Sequence, residues 1–181
     1  GGCLLLVGND LRKKGLACVI EALALLSDAT TFVAVVGHVG QRAVWEAMAR
    51  DLGVGSQLHF LGMREDVGGA YIAADILVHP TLEDTYAMVV LEAMSHALPV
   101  IVSQADYCGI SAELRHDVNA CLLQDPRDAH ALAGAVRRIQ ESPDLQQRLA
   151  QSGVEFAIQR TWGRVAQRHE RLYADLRGIA A

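Results

Sequence analysis

With 181 residues the chain is one domain of ordinary size, long enough to bury a full core. An apolar fraction of 51% beside 20% charged residues places it among soluble globular proteins, and no apolar run nears the ~18 residues of a membrane helix. The net charge of −5, from 16 basic and 21 acidic residues, gives no general attraction for nucleic acid, so an anion must be held by local groups.

The chain opens on GGCLLLVGND, inside or just before a strand and without a secretory leader, as expected of a domain excised from behind an upstream partner. Cys3 to Gly8 is a continuous apolar run ending at glycine, which predicts a strand buried on both faces. After the polar turn NDLRKK, apolar residues recur at Leu16, Val19, Ile20, Leu23 and Leu26 with helical spacing. Thr31 to Val36 reads as the second strand, Gln41 to Leu52 as the second helix and Gln57 to Leu61 as the third strand. A short helix over Glu65 to Ala73 precedes a strand at Ile76 to His79. Pro80 to Val102, PTLEDTYAMVVLEAMSHALPVIV, then reads as loop, helix, turn and strand, with Asn119 to Leu123 as the last strand.

This alternation predicts an α/β fold: a doubly wound, Rossmann-like parallel sheet of about six strands with helices on both faces. Residues 128–181 carry only helical patterns, Ala129 to Glu141, Asp144 to Gln159 and Trp162 to Leu176. These form a helical extension of the same domain, expected to pack on one side of the sheet or to reach a neighbouring domain. Trp162 and Tyr173 are expected to be packing residues.

Cys3, Cys18, Cys108 and Cys121 are scattered without a C-x-x-C pair, and the seven histidines form no metal constellation. The four cysteines read as small buried hydrophobes in a reducing compartment. No G-x-S-x-G elbow occurs, and neither Gly8-Asn9-Asp10 nor Gly37-His38-Val39-Gly40 is the dinucleotide fingerprint.

The densest stretch is Pro80 to Val102. Asp84 stands at the predicted helix start and Glu92 lies on it, ~12 Å further along the axis and roughly 80° around. Two such carboxylates cannot grip one atom, but they suit two ends of an elongated ligand whose middle meets the amides of Thr85, Tyr86, Ala87 and Met88. That middle should be anionic. The plain alternative is a capping aspartate and an ordinary exposed helix glutamate. In an open parallel sheet ordered 3-2-1-4-5-6, ligands bind between the first and fourth strands. The loops leaving those strands carry Arg12, Lys13 and Lys14 on one side and Asp84 on the other. Two cations facing a helix N-terminus suit a diphosphate, and nearby carboxylates suit hydroxyls.

The segments VGNDLRKKGLACVIEAL, VVGHVGQRAVWEAMARDLGV, LHFLGMREDVGGAYIAADILVHPTLEDTYAMVVLEAMSHALPVIVS and HDVNACLLQDPRDAHAL together cover most of the chain. In this order they resemble the donor-binding half of retaining glycosyltransferases built from two facing Rossmann-like domains, family four of the usual classification. They are most similar to the bacterial lipopolysaccharide-core glucosyltransferases.

The resemblance implies roles. Lys13 and Lys14, before Gly15, would neutralise the diphosphate as it leaves. Asp84 would hold hydroxyls of the transferred sugar, and Glu92 the ribose hydroxyls. Asn9 would border the donor, and Thr85, Tyr86, Ala87, Met88 and Val89 would offer it backbone amides. Leu61 to Arg64 would border the base, with Arg64 stacked on it or simply exposed. The donor would be a nucleoside diphosphate sugar, with a leaning to uridine, and transfer would need no metal and no other cofactor. The acceptor, a glycan or lipid-linked hydroxyl, would be held by the missing N-terminal domain, in lipopolysaccharide or envelope glycan synthesis. The implied location is cytoplasmic, with attachment to the inner face of the membrane through that domain.

Two departures stand out. Asp84 replaces the usual glutamate and is one methylene shorter, so that Glu83 is a substitute to consider. Ala87 replaces a common glycine and would either crowd the donor or require a backbone without positive φ. His96-Ala97 similarly replaces a small residue and glycine. The rival readings are half of a nucleotide-sugar epimerase and a non-catalytic Rossmann-like binding domain.

Overall fold

The structure, a computed structural model, describes residues 1–176 and Gly178. The expected helical part, residues 128–181, therefore ends in positions 177 and 179–181 that lie outside the described residues. Six strands, β1 (Cys3–Val7), β2 (Phe32–Val36), β3 (Leu58–Gly62), β4 (Ile76–His79), β5 (Val100–Ser103) and β6 (Cys121–Leu123), form one parallel sheet. Its order is β3-β2-β1-β4-β5-β6, so strand order reverses between β1 and β4.

Alternation along each strand divides the core in two. Leu4, Leu6, Val33, Val35, Ile76, Val78 and Ile101 join the cluster under helices α1 (Leu16–Leu26) and α2 (Arg42–Asp51). Leu5, Val7, Ala34, Leu77, Val100 and Val102 join the one under α3 (Gly68–Ala73) and α4 (Met88–Ser95). Both faces of the central strands β1, β4 and β5 are buried, which is why their sequences are almost wholly apolar, whereas the edge strand β3 exposes His59 and Leu61.

The three last helices do not share one side. Helix α5 (Ala129–Glu141) packs on α1, capped by Asp128, whose side chain accepts from the Ala131 amide. Helix α6 (Pro143–Ile158) starts with Leu145 and Leu149 in the α1 cluster and ends with Phe156 and Ala157 in the α4 cluster. It thus wraps the β6 edge, and it packs on α4. Helix α7 (Trp162–Leu176) has no buried residue. Trp162 is 79% exposed and Tyr173 58%, so neither is the packing residue expected from its type.

Helix boundaries differ from the sequence reading in two places that matter. Helix α3 begins at Gly68, leaving 63–67 as loop, and α4 begins at Met88, four residues beyond Asp84. The helical-axis separation reckoned from Asp84 to Glu92 therefore does not apply. Ala87, at the N-cap of α4, has φ 55, and Ala97 after its C-terminus has φ 58. Ala97 and Leu98 donate to the carbonyls of Met94 and Ala93, which closes the helix in a Schellman turn. Both alanines thus keep a left-handed backbone suited to glycine, at about 1–2 kcal/mol each. The alternative of a backbone without positive φ at Ala87 is overturned, and its side chain is buried in the α4 cluster.

Candidate functional site

Three loops meet where the strand order reverses. Loop 80–87, leaving β4, is tied to the β1 loop by Leu82 N donating to Lys13 O (2.7 Å) and by Thr81 Oγ1 donating to the same carbonyl (3.1 Å). Its other side is tied to the β5 loop, where Asp84 N donates to Tyr107 O (2.8 Å) and Gly109 N to Asp84 O (3.0 Å). A Cβ on Gly109 would lie 2.0 Å from the Thr85 carbonyl oxygen, so this approach requires glycine. Ser111 Oγ donates to Ser103 O (2.6 Å) and Ser103 Oγ to Thr81 O (2.8 Å), satisfying buried groups beneath the loops.

This scaffold fixes Asp84. Its Oδ1 accepts from Ala87 N (2.8 Å) and Tyr86 N (3.3 Å), and its Oδ2 pairs with Lys14 Nζ and lies 3.2 Å from His79 Nε2. The hydrogen bond from His79 holds the Asp84 carboxyl well below the usual carboxylate range, and Lys14 and the Ala87 amide act in the same direction against partial burial. An ionised Asp84 fixes the His79 tautomer, with the proton on Nε2. Burial lowers the His79 pKa from its ordinary 6.5, with Lys14 adding to that and Asp84 opposing it. Its Nδ1 is buried without a hydrogen-bond partner among the described residues.

Both shifts make the fold acid-sensitive. As pH falls past about 6.5 the unfolded chain binds a proton at His79 that the folded chain resists, and below 3.8 the same holds for Asp84. Stability is therefore full above about pH 7 and is lost in two stages on acidification. Denaturant midpoints measured from pH 8 to 3 should show both stages, and His79→Leu should lack the first.

Two of the four amides expected to be free, those of Tyr86 and Ala87, are thus occupied by Asp84, and Thr85 lies before the helix. The amides that open α4 without an intrahelical acceptor are those of Met88 and Val89. Lys13 Nζ pairs with Glu83 at 2.9 Å on the exposed rim, so Glu83 does not stand in for Asp84. Tyr86 points away, its hydroxyl donating to Glu113 Oε1 (3.2 Å), while Glu113 Oε2 accepts from Arg160.

Beside these residues, over the carboxyl ends of β1 and β2, lies a cavity of about 300 Å³. Gly8, Asn9 and Gly37 form its floor, and Met63, Arg64, Val67, Val89 and Glu92 its walls. Lys14 runs alongside, for a Cβ on Gly8 would meet its Cγ at 2.7 Å. Asn9 Oδ1 accepts from His38 N (3.0 Å), which braces the first loop against the second. Tyr71, in α3, donates its hydroxyl to Glu92 Oε2 at 2.8 Å and orients that carboxylate. Leu61 is not in the wall: it is the fourth residue of β3 and points to solvent, 40% exposed. Another cavity, of about 350 Å³, lies by Asp75, His96 and Pro99 at the amino ends of β4 and β5. No lysine or arginine lines it.

The structure therefore gathers Asn9, Lys13, Lys14, Arg64, Asp84, Met88, Val89 and Glu92 around one crevice and leaves Leu61 and Tyr86 outside it. His79 and Tyr71 were not singled out from sequence. The signal for His79 was its place as the last residue of a strand at the switch point; for Tyr71 there was none, because its partner lies on another helix. Among the described residues no group of three or more His, Cys, Asp or Glu stands together as a metal site, and no helix is long and apolar enough to cross a membrane.

An all-parallel six-stranded sheet with helices on both faces and a crevice at its β1/β4 switch point places the chain in the Rossmann-like α/β class. The family model for glycosyl transferases group 1 matches residues 2–156, and the chain belongs to that family. It is 32% identical over 157 residues to the lipopolysaccharide glucosyltransferase WaaG of Escherichia coli (strain K12), covering 85% of this chain and 41% of that protein. It is 29% identical over 149 residues to the lipopolysaccharide core biosynthesis glycosyltransferase LpsD of Rhizobium meliloti (strain 1021), covering 82% and 42%. The crystal structure of WaaG superposes with a TM-score of 0.77, covering 86% of this chain and 42% of that one. Anabaena Alr3699/HepE in complex with UDP superposes with a TM-score of 0.85 at 22% identity, covering 95% and 48%, which shows the same GT-B half-fold. The chain thus spans less than half the length of these relatives.

Proposed function

We propose that this chain is the donor-binding half of a retaining glycosyltransferase that takes a sugar from a nucleoside diphosphate sugar, with a UDP-sugar favoured, and passes it to a glycan or lipid-linked hydroxyl. The observation that carries this reading is the placement of Lys14 and of the Met88 and Val89 amides on opposite sides of the β1/β4 switch point, beside a cavity walled by Glu92 and Arg64. The WaaG likeness favours lipopolysaccharide or another envelope glycan as the setting. The complex of the HepE neighbour with UDP favours uridine.

In this reading Lys14 leaves Asp84 for the diphosphate, whose oxygens also take the Met88 and Val89 amides, while Lys13 on the rim adds charge. Glu92 accepts from the ribose hydroxyls, Asp84 from the sugar, and Asn9 and Arg64 border the base. The bond between the anomeric carbon and the β-phosphate oxygen breaks with its electron pair remaining on the diphosphate. The acceptor oxygen then bonds that carbon on the same face and passes its proton to the departing diphosphate oxygen. Fixed donors aimed at the growing charge lower the barrier without a metal. The acceptor is held by a further domain on the full-length protein, whose place is the cytoplasm or the inner membrane surface, and the isolated half turns over little.

Calorimetric titration of UDP, UDP-glucose and NAD into the chain tests this. Saturable binding of UDP and UDP-glucose but not NAD is expected, and Glu92→Ala should weaken both by about tenfold or more. Binding of NAD alone would contradict it.

A further inference from the structure

His79 is fully buried in the core on the α4 side of the sheet, yet among the described residues its ring makes a hydrogen bond only to Asp84 and its Nδ1 has no partner. A buried polar atom left unpaired is costly, and an apolar side chain would serve packing better at the end of β4. The ring is therefore held there for its Nε2–H. That group shares Asp84 Oδ2 with Lys14. If Lys14 were the sole holder of this oxygen, drawing the ammonium away would strip a part-buried carboxylate of its side-chain donors, and the carboxylate would resist.

Resting on the donor-site reading above, we propose that His79 is a positioning residue for donor binding. It keeps Asp84 Oδ2 hydrogen-bonded and in place when Lys14 moves to the diphosphate, and so makes Lys14 available. Asp84 Oδ1 stays on the Tyr86 and Ala87 amides throughout, so loop 80–87 need not rearrange.

The test is a double-mutant cycle read by UDP titration. His79→Leu removes the donor and should weaken UDP binding about tenfold, whereas His79→Gln, which keeps an N–H group, should stay within about threefold of the native chain. In a Lys14→Ala background, the leucine substitution should have less than about a twofold further effect, because there is no ammonium left to release. A merely structural role for the ring would weaken binding equally in both backgrounds and would not be rescued by glutamine. If the leucine variant does not fold, His79→Met replaces it in the same cycle. Native-like UDP binding by the donor-less variant, or equal loss with and without Lys14, overturns the proposal and leaves the donor site standing. Absence of UDP binding by the native chain overturns the donor site and the proposal with it.

Discussion

Lys14→Ala is expected to weaken UDP binding by about ten- to a hundredfold, on the order of 1.4–2.8 kcal/mol. Two changes add in the same direction. A charge-assisted contact to the diphosphate is lost, and Asp84 keeps a negative charge without its ammonium partner beside an anionic ligand. Lys13→Ala should do far less, about two- to threefold, because that ammonium is half exposed and screened on the rim, where it pairs with Glu83. Isothermal titration of both variants at one ionic strength separates them. Equal losses would mean that the two lysines act as undirected charge and that the Lys14 geometry is irrelevant.

Gly15→Ala should destabilise the fold by about 2–4 kcal/mol, read as a drop in denaturant midpoint at unchanged slope. Gly15 has φ 77, and a Cβ there would stand 2.0 Å from the Pro80 carbonyl oxygen. Backbone atoms cannot turn aside as a flexible side chain can, so the β1 and β4 loops must separate. That separation also pulls Lys14 from Asp84, so nucleotide binding should fail together with stability. A variant of native midpoint would show that the approach of these two loops is not tight.

Much of this was legible in the chain itself. Unbroken apolar runs such as CLLLV and FVAVV mark strands buried on both faces, and their alternation with helical periods leads to the parallel sheet and to the crevice at its switch point. Which loops flank that crevice then follows from chain order alone, which is why Lys14 and Asp84 were candidates together. The start of α4 was not legible, because Asp84 does not cap the helix from its N-cap position but folds a separate loop over the Tyr86 and Ala87 amides. That arrangement depends on Ala87 taking a left-handed backbone, which its residue type argues against. Position also misled at Leu61, since one residue along a strand reverses the face. The path of α6 was hidden for another reason: its apolar residues show that it is buried, while the edge it wraps is set by the sheet. Tyr71 and His79 gained their roles only through partners distant in sequence or across a loop.

The measurement that bears most directly on the central claim is a map of backbone amide shifts in the isotopically labelled chain as UDP is added. The account predicts saturating shifts at Gly8, Asn9, Gly37, Arg64, Met88 and Val89, around the crevice between β1 and β4. Shifts confined to Asp75, His96 and Ala97, at the opposite end of the sheet, or no saturable shift at all, would contradict it.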